Sequence, residues 1–174
     1  MLFRSTKAHD RGELRTALEL AAVYDRKTVV EAACEGRELE CSLLGNADVR
    51  ASVVGEVIPA NEFYDYEAKY TEGKMAFVIP AAVDERQSAR VRELAVAAFR
   101  AIDASGFARC DFFLEAATGR VVLNEINTIP GMTAMSGFPR LWEASGVGGR
   151  QLIEEIVRLG LERHERLARL KMAR

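Results

Sequence analysis

The stretch Phe107-Ala-Arg-Cys-Asp-Phe-Phe-Leu-Glu115, then Ala116-Ala-Thr-Gly119, then Arg120-Val-Val-Leu-Asn-Glu-Ile-Asn127, decides how the chain is read. Two β-prone runs flank a short turn that ends in glycine, the pattern of an antiparallel hairpin. Side chains alternate along a strand, so Arg109, Asp111 and Phe113 share one face, and Leu123, Glu125 and Asn127 share a face of the partner strand. A turn centred on Thr118 puts Asp111 opposite Glu125 and Arg109 opposite Asn127. Opposed side chains have Cβ atoms roughly 4.5–5.5 Å apart, and like charges there repel. Phe112, Phe113, Leu114, Val121, Val122 and Leu123 are apolar on both faces, so the hairpin is expected to be mostly buried. Two facing carboxylates in such a place need a cation. Asp111, Glu125 and Asn127 offer only oxygen, which suits Mg²⁺ better than zinc or copper. Arg109 could instead supply the positive charge, in a buried Arg–Asp–Glu cluster without metal. The residues alone leave both readings open.

Upstream of the hairpin, Asp84 and Gln87 form a capping box, and Val91, Leu94, Ala95, Ala98 and Phe99 recur as a helical stripe that Gly106 ends. Phe77–Pro80 reads as a short strand. The polar, aromatic stretch 60–74 reads as a long loop of the kind that is often functional. Its Lys69 lies among Phe63, Tyr64, Tyr66 and Tyr70, rings that let a loop dock when it closes over a site. Strand signals cover Thr28–Ala33, Arg37–Leu44 and Ala51–Ile58, divided by Glu35-Gly36 and Gly45-Asn46. On spacing alone, Glu31 and Glu38 read as solvated carboxylates, and His9 and His164 as exposed side chains. Asp10 and Glu13 open a first helix, Arg11–Tyr24, with Leu14, Ala17, Leu18, Ala21 and Ala22 at helical spacing.

Downstream, Pro139 starts a short helix through Ser145. A last helix spans Arg150–Leu170, with Leu152, Ile153, Ile156, Val157 and Leu161 on one side. The expected architecture is a single α+β domain, with helices packed on a largely antiparallel sheet.

Composition narrows the function classes. At 174 residues and 49% hydrophobic content the chain can build one sizeable core. The net charge of −2, with both signs interspersed, argues against a nucleic-acid partner. Charged residues interrupt every apolar run before membrane-spanning length, and the N-terminal segment Met1-Leu-Phe-Arg-Ser-Thr-Lys7 has no signal-like apolar core. Cys34, Cys41 and Cys110, an odd number without a CxxC pair, fit reduced thiols of a cytoplasmic protein rather than disulfides or a zinc site.

Three strings together resemble the D-alanine–D-alanine ligases of the ATP-grasp superfamily: Phe63-Tyr-Asp-Tyr-Glu-Ala-Lys-Tyr70, Ala108-Arg-Cys-Asp-Phe-Phe113 and Asn124-Glu-Ile-Asn-Thr-Ile-Pro-Gly-Met-Thr133. The last two mark the wider superfamily, and the first resembles the substrate-covering loop of the dipeptide ligases. Phe138-Pro-Arg-Leu-Trp-Glu-Ala-Ser-Gly146 and Gly36-Arg-Glu-Leu-Glu40 also fit, and the likeness runs from about Lys7 onward. The resemblance implies an ATP-grasp C-terminal fold and ATP-dependent joining of two D-alanines through an acyl-phosphate, for peptidoglycan, the cell wall and cell shape.

On matching positions, Asp111, Glu125 and Asn127 are implied to hold two Mg²⁺ ions (or Mn²⁺) on the ATP phosphates. Arg109 is implied to stabilise the reacting charge, Lys69 to reach the transferred phosphate, and Tyr70 to help close over the second substrate. In related vancomycin-resistance ligases, which make D-alanyl-D-lactate, the corresponding loop differs, so Tyr70 favours the dipeptide. Glu31 and Ala33 fall where the family holds adenine and Glu38 where it holds ribose. Gly131 and Ser136 fall where it receives the second D-alanine.

The family's N-terminal substrate domain and the first half of its ATP-grasp have no counterpart here. Residues 1–174 are therefore expected to be the C-terminal part of an ATP-grasp enzyme whose full-length form dimerises. Two other readings remain: another ATP-grasp carboxylate–amine ligase, and a non-catalytic module that binds Mg-nucleotide.

Overall fold

The expected hairpin is present, and it forms one side of a five-stranded sheet. A computed structural model describes residues 6–59 and 75–170. The elements are α1 (Arg11–Ala22), β1 (Gly36–Gly45), β2 (Arg50–Pro59), β3 (Met75–Val78), α2 (Glu85–Ala101), β4 (Gly106–Glu115), β5 (Val121–Asn127), α3 (Gly137–Ala144) and α4 (Gly149–Ala168). Strand order is β3-β2-β1-β4-β5, and every neighbouring pair is antiparallel. The fold is α+β, as the sequence predicts.

β1 lies at the centre, and its alternation sorts the molecule into two sides. Leu39, Cys41 and Leu43 pack with Ala108, Cys110, Phe112 and Leu114 of β4 against Val91, Ala95 and Phe99 of α2. The helix residues are four apart, so they form one stripe that covers this sheet face. Each such fully buried apolar side chain contributes roughly 1.5–3 kcal/mol relative to exposure. On the opposite face Leu44 packs with Phe138, Trp142, Val147, Leu152 and Leu159 from α3, α4 and their connection. The α3–α4 layer covers the Leu44 and Phe107 end of that face.

Polar ties hold the layers in register. Asp84 and Gln87 make the predicted capping box at the start of α2. Ser145 at the end of α3 accepts from Val53 N and donates to the Leu141 carbonyl, pinning α3 to β2. Asn46 accepts from Gly106 N and donates to the Leu159 carbonyl, joining the β1–β2 turn, β4 and α4. Gly55 lets α3 approach β2, because a Cβ there would meet both Leu141 and Phe77 at 2.8 Å.

Several expectations need correction. Thr28–Ala33 forms no strand; the segment is exposed, with Val29 and Val30 at 71% and 61%. A strand needs a neighbour for its backbone groups, and no strand of the described sheet pairs with it. α1 forms, yet buries none of its residues. Asp10 caps Gly12 N and Glu13 N as expected, but Glu13 reaches back to His9 N rather than Asp10 N. On α4 the inward side is Leu152, Ile156 and Leu159, while Ile153, Val157 and Leu161 face out. α3 begins at Gly137, two residues before Pro139. No helix among the described residues is long and apolar enough to cross a membrane. Burial pushes the Cys41 and Cys110 thiols up to about 12, so neither is a ready nucleophile.

Phe99→Ala, which empties a fully buried ring position, is expected to cost about 3–5 kcal/mol. Asp84→Ala, which removes only a cap, should cost about 1 kcal/mol. Urea midpoints of the two variants, at unchanged slope, check that ranking. A pH prediction comes from Arg37, whose Nε and Nη2 donate to Glu56 at 2.6 Å each. These bonds hold the Glu56 carboxyl below its ordinary value. Its contribution is therefore complete above the pKa of an unfolded glutamate and is lost as pH falls through the lowered folded value. Arg37→Met should flatten the acid limb of stability against pH, measured by thermal unfolding from pH 7 downward.

Candidate functional site

The sheet face opposite α2 carries a charged cluster next to the α3–α4 layer. β4 contributes Arg109 and Asp111, and β1 sets Glu40 directly across from Asp111 and Ser42 across from Arg109. β5 sets Glu125 across from Asp111 and Asn127 across from Arg109, as the hairpin spacing predicts. The register slips between Asp111 and Phe112, where Leu123 pairs with Phe112 and Asn124 is the extra residue. Leu123 and Glu125 therefore do not share a face, which corrects the strict alternation read from the sequence. A bulge of this kind re-aims the side chains beside it.

Arg109 is the centre of the group. Its Nε and Nη2 each lie 2.7 Å from an Asp111 oxygen in a bidentate pair, and its Nε lies 3.5 Å from Glu40 Oε1. The three side chains are only 11–13% exposed. Burial is the largest single influence on the guanidinium and works against its charge. The Asp111 hydrogen bonds and the charges of Glu40, Asp111 and Glu125 together outweigh it, so Arg109 is raised above its ordinary value and stays cationic. The structure thus has an Arg–Asp–Glu ion cluster, but its glutamate is Glu40 of β1 rather than the Glu125 expected from the hairpin.

The donor chemistry also fits a hard cation. Asp111, Glu125 and Asn127 are all oxygen donors on adjacent strands in direct register. Within the cluster, three carboxylates face one guanidinium. Among the described residues no group of three His, Cys, Asp or Glu side chains is arranged to hold a metal. Asp111 would have to release part of Arg109, and Asn127 to supplement the two carboxylates. Asn127 Oδ1 already accepts from Ile129 N, which starts the turn out of β5.

That turn leads to Gly131 and Ser136, close neighbours in space. A Cβ on Gly131 would stand 2.7 Å from Ser136 Oγ. Ser136 occupies the N-cap position of α3 without capping it; its hydroxyl instead accepts from Thr133 N and lies 2.9 Å from Thr133 Oγ1. Glu38 is half-buried on β1, in register with Phe113 and Val57. Glu31 and Ala33 are exposed in the irregular segment before β1, apart from any described strand. Lys69 and Tyr70 lie outside the described residues. Glu40 is the member that sequence reading missed. Its alternation with Leu39 and Cys41, in step with Glu38, was the available signal.

Residues 5–158 match the family described as D-ala D-ala ligase C-terminus. The D-alanine–D-alanine ligase of Acetivibrio thermocellus is 52% identical over 159 residues, covering 91% of this chain and 42% of that protein. The one from Halothermothrix orenii is 52% identical over 157 residues, covering 90% of this chain and 46% of that protein. Among solved structures, the D-alanine-D-alanine ligase from Coxiella burnetii aligns with a TM-score of 0.83 at 32% identity, covering 94% of this chain and 42% of its own. VanG D-Ala:D-Ser ligase from Enterococcus faecalis aligns with a TM-score of 0.76 at 34% identity, covering 86% and 43%. The chain spans less than half the length of these relatives. With nearly the whole of its sheet and helices inside the matched stretch, the chain belongs to the D-alanine–D-alanine ligase C-terminal family.

Proposed function

We propose that this chain carries the metal-binding and phosphate-handling part of an ATP-dependent enzyme that joins two D-alanines for peptidoglycan. The observation that carries the reading is the cross-strand register that gathers Asp111, Glu125 and Asn127 beside a buried, cationic Arg109. Family membership adds the substrate class. A D-alanine–D-alanine ligase from Bacillus anthracis complexed with ATP also shares the fold, at a TM-score of 0.77 and 27% identity.

In the proposed reaction the carboxylate of the first D-alanine attacks the γ-phosphate of ATP, giving an acyl-phosphate and ADP. The amine of the second D-alanine then attacks the acyl carbon, releasing phosphate and forming D-alanyl-D-alanine. Asp111, Glu125 and Asn127 hold Mg²⁺ (two ions), which when bound neutralises phosphate charge. Arg109, fixed and poorly solvated, stabilises negative charge on the acyl-phosphate and on the tetrahedral adduct that follows. Lys69 steadies the transferred phosphate, and Tyr70 helps exclude water over the second substrate. Gly131 leaves room beside the reacting centre, and Ser136 offers its hydroxyl to the second carboxylate. Glu38 binds ribose, while Glu31 and Ala33 line the adenine side once their segment is packed. The full-length protein acts as a cytoplasmic homodimer, with no nucleic-acid or membrane partner.

A structural ion cluster without metal is the competing reading, favoured by the bidentate Arg109–Asp111 pair. Calorimetric titration with Mg·ADP separates the two. Asp111→Asn should abolish metal-dependent nucleotide binding, and unchanged affinity would overturn the metal assignment. D-alanine-stimulated phosphate release from ATP should likewise vanish in Asp111→Asn. Lys69→Ala should bind Mg·ADP as the parent does but turn over about 10²-fold more slowly. Equal turnover would remove the phosphate role from Lys69. Running D-serine beside D-alanine tests the second substrate.

A further inference from the structure

The chain between the start of α1 and the start of β1 carries apolar surface that stands open to solvent. α1 buries none of its residues, and its Leu14 and Leu18 are exposed. Beyond it every residue from 22 to 33 is exposed, Val23, Val29 and Val30 among them. Most of a helix's stability in a protein comes from packing its apolar stripe, and this stripe is unpacked. Exposed apolar surface of this kind marks a contact with another molecule.

The segment after α1 is tied at both ends. Asp25 Oδ1 accepts from Lys27 N at 3.0 Å, and the Glu35 carbonyl accepts from Ala116 N at 3.0 Å. Between these ties, among the described residues, no backbone group of 28–34 has a hydrogen-bond partner. Thr28, Val29 and Val30 are β-branched, and such side chains suit a pleated strand. A β-prone run with unpaired backbone groups is a template for another strand.

Its charges say which strand fits. Basic Arg26 and Lys27 open the run, and acidic Glu31 and Glu35 close it. An antiparallel copy aligned on Val29 sets Val29 against Val29, Val30 against Thr28, and Lys27 against Glu31 on both sides of the two-fold. Parallel pairing in register sets Lys27 against Lys27 and Glu31 against Glu31. An antiparallel copy centred on Lys27 or on Glu31 also brings a like pair together. The segment is thus complementary to itself in one orientation, as a two-fold contact requires. We propose that two copies of this chain associate through 25–33, paired antiparallel about Val29. The Leu14–Leu18 stripe of each α1 is the apolar layer that an isolated two-stranded ribbon lacks. The interface lies outside the Arg109 cluster, so it stands or falls apart from the catalytic reading.

Sedimentation equilibrium of the whole chain is the test. The parent should show a concentration-dependent monomer–dimer equilibrium, and a monomer at every concentration would overturn the proposal. Lys27→Glu turns both cross-strand pairs into like-charge pairs and should weaken the dimer about tenfold or more. Glu31→Lys should do the same. The double reversal Lys27→Glu/Glu31→Lys restores opposite charges and should bring the dimer back to within about threefold of the parent. Both side chains are exposed, so these variants are expected to fold as the parent does, which circular dichroism checks. A dimer indifferent to the single reversals, or one that the double reversal fails to rescue, rules out this pairing. The outer side of α4, with exposed Ile153, Val157 and Leu161, is another apolar face. Val157→Asp should leave the dimer intact; its loss there would place the contact on α4 and sink the proposal.

Discussion

The structure depends on one constraint, the two-residue alternation of a central strand that is paired on both edges. β1 sends Leu39, Cys41 and Leu43 to the core beneath α2, and Glu38, Glu40, Ser42 and Leu44 to the other side. A shift of one residue would exchange the two sets, driving carboxylates into the core and leucines into the site. Burial of the apolar set therefore also fixes where the charged set stands. Because β4 pairs with β1 over ten residues, Asp111 and Arg109 inherit that placement. β5 then inherits it from β4, with one bulge that moves Leu123 out of step with Glu125.

The second face is divided along its length. At the Leu44 and Phe107 end, α3 and α4 bring Phe138, Trp142, Leu152 and Leu159 against the sheet. Further along, beyond the α3–α4 layer, Glu40, Arg109, Asp111, Glu125 and Asn127 gather in register on β1, β4 and β5. The boundary is sharp because Gly55 and Gly137 let α3 come close, and it ends on the Glu40 carboxylate. A half-covered face combines low solvent access with an open side. Under such conditions charge–charge interactions are stronger than on a free surface, yet a polyanionic ligand can still approach. Arg109 is raised there by the Asp111 hydrogen bonds and the neighbouring carboxylates, against the effect of burial.

Much of this was legible from residues in order. The Asp84–Gln87 box and the Val91–Phe99 stripe named α2, because local capping and periodicity act within one helix. The spacing around Thr118 named the Asp111–Glu125 and Arg109–Asn127 pairs, because hairpin register follows from turn position. Other readings failed where the deciding partner lies elsewhere. Among the described residues, Thr28–Ala33 has strand chemistry but no strand pairs with it, and the Leu14–Leu18 stripe of α1 is not buried. The buried side of α4 is turned from the expected stripe because packing on Leu44 and Phe138 selects Leu152, Ile156 and Leu159.

The sequence by itself determined the α+β class, the hairpin pairs, the oxygen-rich donor set and the family likeness, since each depends on local spacing or on strings of residues. Only the tertiary structure decided that Arg109 is held by Asp111, that Glu40 joins them from β1, and that α3 closes over that carboxylate at Gly137. The Glu40 contacts with Arg109 and Gly137 join residues about 70 to 100 positions apart in the chain. No local pattern encodes them, because they exist only once two strands and a helix have been packed on a common core.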